Sequence, residues 1–141
     1  MVARRLLVIS VPLNFVWEML QMPAFVGLPD DALGAAGVCA IAAIGDALIA
    51  LALWRVASWT FEDPRWFVPP RVGRYAAIVA AGVAFHGAFE WIAVTRLALW
   101  TYRPIHPTLP GIGIGILAVL QPLVLLPLTF WLLGRAVPSR V

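Results

Sequence analysis

The chain has 141 residues, 62% of them hydrophobic and 12% charged, against roughly 45–50% and 25% for a soluble domain, which excludes an ordinary water-soluble globule. The formal net charge is +3 and all ten basic residues are arginines. They flank apolar stretches instead of forming one soluble patch, so the basic balance gives no support to nucleic-acid binding.

Four stretches reach the roughly 20 apolar residues that cross a bilayer: 6–28, 33–54, 75–99 and 111–134. The first follows Arg4 and Arg5 as a signal peptide would. It runs too long for one, holds Glu18 and lacks a small-x-small cleavage site, so it reads as a retained helix. Within it Asn14, Glu18 and Gln21 are spaced i, i+4, i+7 and share one face.

The second stretch follows after about four residues and carries Asp46. Cys39 excludes an intrachain disulfide as the single cysteine, and it reads as a packing residue beside Gly34, Ala36 and Gly37. The 55–74 loop interleaves arginines with Trp59, Phe61, Trp66 and Phe67. It is expected to lie in the interface, with rings at headgroup depth and arginines meeting anionic lipid.

The third stretch places His86 and Glu90 at i, i+4, where they share a face and are expected to pair. Trp100 and Tyr102 then follow as an aromatic belt. In the fourth stretch Gly111 and Gly115 favour close helix packing, Gln121 is the deep polar group, and Pro122 and Pro127 are expected to kink the helix. The Gly111-x-Gly113-x-Gly115 run matches no nucleotide fingerprint.

Eight arginines fall at the N-terminus, the 55–74 loop and the C-terminus, and only Arg96 and Arg103 on the other side. The positive-inside rule then places both termini and that loop in the cytoplasm. The expected architecture is an all-α, polytopic, up-down bundle of four transmembrane helices in a single domain spanning 1–141.

Three carboxylates, Glu18, Asp46 and Glu90, thus lie within membrane spans, where each costs roughly 2.5–3.5 kcal/mol and is expected to face a polar interior. Counting 1.5 Å per residue from the cytoplasmic helix ends puts Asp46, Asn14 and His86 at about 12–17 Å and Glu18, Gln121 and Glu90 at about 20–23 Å. All four helices therefore feed one polar region. A hydrogen-bond network that merely holds helices together explains the amides well. It explains the acids less well, because an amide would serve at lower desolvation cost. Among three buried, mutually repelling acids at least one keeps its proton at neutral pH, which sets a donor beside an acceptor.

Hydrolysis by a nucleophile triad is not supported, since Ser10 is the only serine in a span and no histidine is spaced beside it. His86 is the only histidine within a span, which excludes a bis-His haem in one chain. Met19, Met22, Cys39 and His86 could compose a soft copper set, but methionine ordinarily fills apolar gaps; neither metal nor cofactor is expected.

The motifs Trp17-Glu18-x-x-Gln21-Met22-Pro23, Gly45-Asp46, Trp100-x-Tyr102 and Gly111-x-Gly113-x-Gly115 followed by Gln121 resemble a family of small, uncharacterised bacterial multi-pass membrane proteins. The resemblance covers nearly the whole chain. It implies the bacterial inner (cytoplasmic) membrane and supplies motif residues without an activity. A weaker similarity, by analogy, is to the sterol-isomerase-like (EXPERA) membrane proteins, whose His-x-x-x-Glu looks like His86-x-x-x-Glu90 and which move a proton on a lipid. The small multidrug-resistance exporters also carry a carboxylate in the first of four helices, but the arginine bias here argues against their dual insertion.

The sequence is therefore read as a membrane protein that binds an apolar, lipid-like molecule, with an isoprenoid as the guess, and isomerises, cyclises or hydrates it by proton transfer. Glu18 and Asp46 are the acid–base pair, and Glu90 with His86 a supporting pair. Asn14, Trp17, Gln21, Trp100, Tyr102 and Gln121 are the ligand-binding candidates. A non-catalytic pigment- or lipid-binding scaffold subunit, with His86 as an axial ligand, and a small proton-coupled transporter stay open beside it. So do a homo-oligomer and a larger membrane complex.

Overall fold

A computed structural model of the chain describes residues 1–137; Arg140, one of the arginines behind the expected orientation, lies outside them. Four helices dominate: α1 (Val2–Gln21), α2 (Ala32–Thr60), α3 (Val72–Thr95) and α4 (Ile116–Ala136). Each is long and apolar enough to cross a membrane. Two short strands, β1 (Phe25–Val26) and β2 (Thr101–Tyr102), complete the fold.

The helix ends follow local chemistry. α1 stops at Gln21, where Pro23 permits only a short 3₁₀ turn over Met22–Ala24. The Asp31 side chain caps α2 by accepting the Gly34 N–H at 2.8 Å. α2 continues six residues past the expected end at position 54, because Arg55 and the polar residues after it do not oppose helix once the apolar stretch is over. At 29 residues it is about 43 Å long and outruns the hydrocarbon layer. α4 starts five residues later than expected, because Gly111 and Gly113 take φ of +80° and +75°, a conformation no helix contains. α4 then runs without interruption through Pro122 and Pro127.

Neighbouring helices are antiparallel. α1 packs extensively along α2 and α4, and α4 along α3, whereas α2 and α3 barely meet. The bundle is thus closed on three sides and loosely joined at the α2–α3 seam. At Gly82 of α3 a side chain would run into Leu126 and approach Pro122, so glycine sets how closely α3 lies on α4.

One end of the bundle, the terminal end, holds both termini and the 61–71 connection. There Leu6, Trp66, Phe67, Phe130 and Leu133 belong to the main buried core. This corrects the expectation for the 55–74 loop: Trp66 and Phe67 are 0% and 1% exposed, folded back into the bundle as a plug. Trp66 packs at a tilt against Phe130 with ring centroids 4.7 Å apart. Packing against Phe130, Leu6 and Leu133 offers these rings more apolar area than the headgroup layer does. Trp59, 78% exposed, and Arg74 over the Phe61 ring at 5.0 Å keep the surface character expected of this loop. At the opposite, strand end β1 pairs antiparallel with β2, Phe25 facing Tyr102 and Val26 facing Thr101.

Candidate functional site

All four helices deliver a polar side chain to one place midway along the bundle. Gln121 of α4 is its hub: Nε2 donates to Asn14 Oδ1 on α1 at 3.0 Å and to Asp46 Oδ2 on α2 at 2.6 Å. Asn14 passes the network on, its Nδ2 donating to the Ser10 carbonyl at 2.9 Å and to Ser10 Oγ at 3.0 Å. The Glu18 carboxyl lies against the same group, with Gln21, Gln121 and Asp46 as its polar neighbours. From α3, His86 Nδ1 stands 3.9 Å from Asp46 Oδ1 across the α2–α3 seam.

Beside this group is a cavity of about 10 Å³ for a water-sized centre, lined on its polar side by Ser10, Asn14, Asp46, His86, Gln121 and Thr129. That is room for about one water molecule with several polar partners. An apolar ligand of lipid size does not fit inside it.

The second group sits nearer the strand end. Glu90, 6% exposed, accepts at Oε1 from Tyr102 O–H at 2.5 Å and from Trp100 Nε1–H at 3.3 Å. The Tyr102 oxygen in turn accepts the Gly115 N–H at 2.8 Å, so one phenol joins β2, α3 and the start of α4. Burial first, then the bond to Glu90, pushes the Tyr102 phenol well above its ordinary value. His106 packs against the Tyr102 ring at 4.6 Å; its Nδ1 lies 2.9 Å from the Pro107 carbonyl and its buried Nε2 has no hydrogen-bond partner among the described residues.

These positions revise the expected pairings. His86 and Glu90 share a helix face, yet His86 turns to Asp46 and Glu90 to Tyr102 and Trp100. Trp100 and Tyr102 therefore anchor a carboxylate instead of forming a free belt. Gln21 accepts from Trp17 Nε1 at 3.0 Å, which puts both at the rim of the Glu18 site. The sulfur set divides: Cys39 Sγ meets Met22 Sδ at 3.6 Å, and His86 belongs to the other group. Ser10 and Thr129 joined the site unannounced; the i, i+4 spacing of Ser10 and Asn14 was the available signal. No family model, no curated protein and no solved structure matches this chain.

Proposed function

We propose that the protein is a bacterial inner-membrane protein, with both termini cytoplasmic, that binds an apolar, lipid-like molecule and moves a proton on it. The observation that carries this reading is the meeting of Glu18 and Asp46 from different helices at mid-span, joined through Gln121. Two such carboxyls cannot both ionise cheaply, so they hold one proton between them, which makes one a donor and the other an acceptor.

The substrate approaches from the α2–α3 seam, because the small cavity takes only a water and this seam is the loosely packed side. His86 stands at the seam, and its neighbours on α3, Phe85 and Phe89, are each about half exposed. An isoprenoid fits such a place, being apolar and rich in double bonds. The protonated member of the pair would deliver its proton to one alkene carbon. The ionised member would withdraw one from an adjacent carbon, giving an isomer, or a water in the cavity would add to the cation and pass its extra proton to the ionised member, giving an alcohol. Asn14 and Gln121 orient the pair, and His86 accompanies Asp46.

The test is mass spectrometry of lipid carried through purification in mild detergent. The expected result is one apolar, phosphate-free lipid class enriched over the bulk membrane extract and lost when Phe85→Ser opens the seam. Bulk lipid alone would overturn the lipid-binding reading.

A further inference from the structure

We propose that the mid-span cavity binds one water, held by Ser10 and Thr129, and that this water carries a proton between Asp46 and His86, which makes His86 a third holder of the proton shared by Glu18 and Asp46; this rests on the proposed acid–base reading. Three features of the structure carry the proposal. The first is a pair of uncommitted hydroxyls. Ser58, Thr60 and Thr95 each donate to the carbonyl four residues back on their own helix, the usual habit of a hydroxyl in a helix. Ser10 and Thr129 do not. Ser10 Oγ accepts from Asn14 Nδ2 at 3.0 Å, and its O–H has no acceptor among the described residues; the Thr129 hydroxyl has neither donor nor acceptor among them. Both residues are 1% exposed and both line the cavity. A buried hydroxyl left unpaired is costly, so the cavity's occupant has to accept from these two. A water does so. A metal cation would take the hydroxyl oxygens and leave both hydrogens without an acceptor.

The second is the spacing of Asp46 and His86. Nδ1 of His86 stands 3.9 Å from Oδ1 of Asp46, beyond a direct hydrogen bond and short enough for one water to touch both. Asp46 and His86 line the same cavity as the two hydroxyls. Four polar side chains, one from each helix, thus surround room for about one water and give it a full set of partners. The proton step is short: a proton leaves Asp46 Oδ1 for the water as the water gives one to the unprotonated Nδ1 of His86, and it returns by the reverse. Nothing is oxidised or reduced.

The third is where the cavity opens. Ser10 and Thr129 close its inner side, whereas the side chains of Asp46 and His86 keep 16% and 12% exposure and come from α2 and α3, the helices that barely meet. The water therefore lies between the inner wall and the seam, and His86 brings the pair's proton to the α3 side of that seam. Ser10 and Thr129 are positioning residues.

Infrared spectroscopy of the full chain in hydrated lipid films, in ordinary and in heavy-oxygen water, tests the proposal. The expected signal is a narrow O–H stretch of an isolated water that moves to lower wavenumber in heavy-oxygen water. Thr129→Val, nearly the same shape, loses it; Thr129→Ser keeps it; Ser10→Ala, on a different helix, shifts it. Ring bands of isotope-labelled histidine, taken as the difference from His86→Gln so that His106 drops out, move in Thr129→Val and return in Thr129→Ser. A merely structural Thr129 would lower the melting temperature and leave those ring bands in place. No narrow water band, a band that survives Thr129→Val unchanged, or histidine ring bands unmoved in that variant overturns the proposal. The protonated-carboxyl C=O band separates it from the reading beneath it. That band without the water band overturns the bridge and leaves the acid–base pair standing, whereas its absence from the unmodified protein overturns the acid–base reading and the proton step with it.

Discussion

At the scale of single residues, Gln121 does more than its chemistry advertises. One amide nitrogen serves two acceptors from two other helices, so removing it strands both Asn14 Oδ1 and Asp46 Oδ2. Gln121→Leu is expected to destabilise the bundle by roughly 1–3 kcal/mol, read as a lower melting temperature in detergent. Ser10→Ala should cost no more than about 1 kcal/mol, because Asn14 keeps its bond to the Ser10 carbonyl. Equal losses for the two variants would contradict the hub. Tyr102 supplies a pH prediction. Its folded phenol holds its proton more tightly than the unfolded one, so the stability it contributes is complete below the unfolded value of about 10. That contribution is lost as pH rises beyond it. The alkaline fall in melting temperature should be shallower in Tyr102→Phe; an identical alkaline slope would show that the phenol is not the group responsible.

At the scale of elements, the plug makes the prediction. Trp66→Ala removes a fully buried indole and should cost roughly 3–5 kcal/mol, whereas Trp59→Ala, on the exposed end of α2, should leave the melting temperature nearly unchanged. An equal, small effect at both positions would restore the interfacial reading of the whole loop. The helices themselves were legible in the sequence, because apolar length alone decides them. The plug was not, since arginines alternating with aromatic rings describe an interfacial segment and a cap equally well. Which one forms depends on whether the helices leave apolar surface uncovered at the terminal end. The pairing of Glu90 was hidden for a related reason. Spacing puts His86 and Glu90 on one face, but a helical turn separates them, and Glu90 lies at the level to which the two-residue strand β2 returns. Hydropathy does not register so short a strand. The central cluster was legible through depth, with two shifts: Gln121 and Glu18 were counted a layer above Asn14 and Asp46, yet their long side chains span that difference.

At the scale of the whole molecule, four helices closed on three sides place a titratable pair inside and a loosely joined seam beside it. The arginine distribution is the ground for proposing that the terminal end is cytoplasmic. Single cysteines at Glu62 and Thr108, both exposed, should then label from opposite faces of the membrane, Thr108 from the outside; labelling of both from one face would refute the four-span arrangement. The central claim, that Glu18 and Asp46 hold one proton between them at mid-span, is tested most directly by infrared spectroscopy of the purified protein at neutral pH. The account predicts a protonated-carboxyl C=O band that survives in Glu90→Gln and vanishes in the Glu18→Gln, Asp46→Asn double variant, with the helical amide bands unchanged. No such band in the unmodified protein, or a band that persists in the double variant, would contradict it.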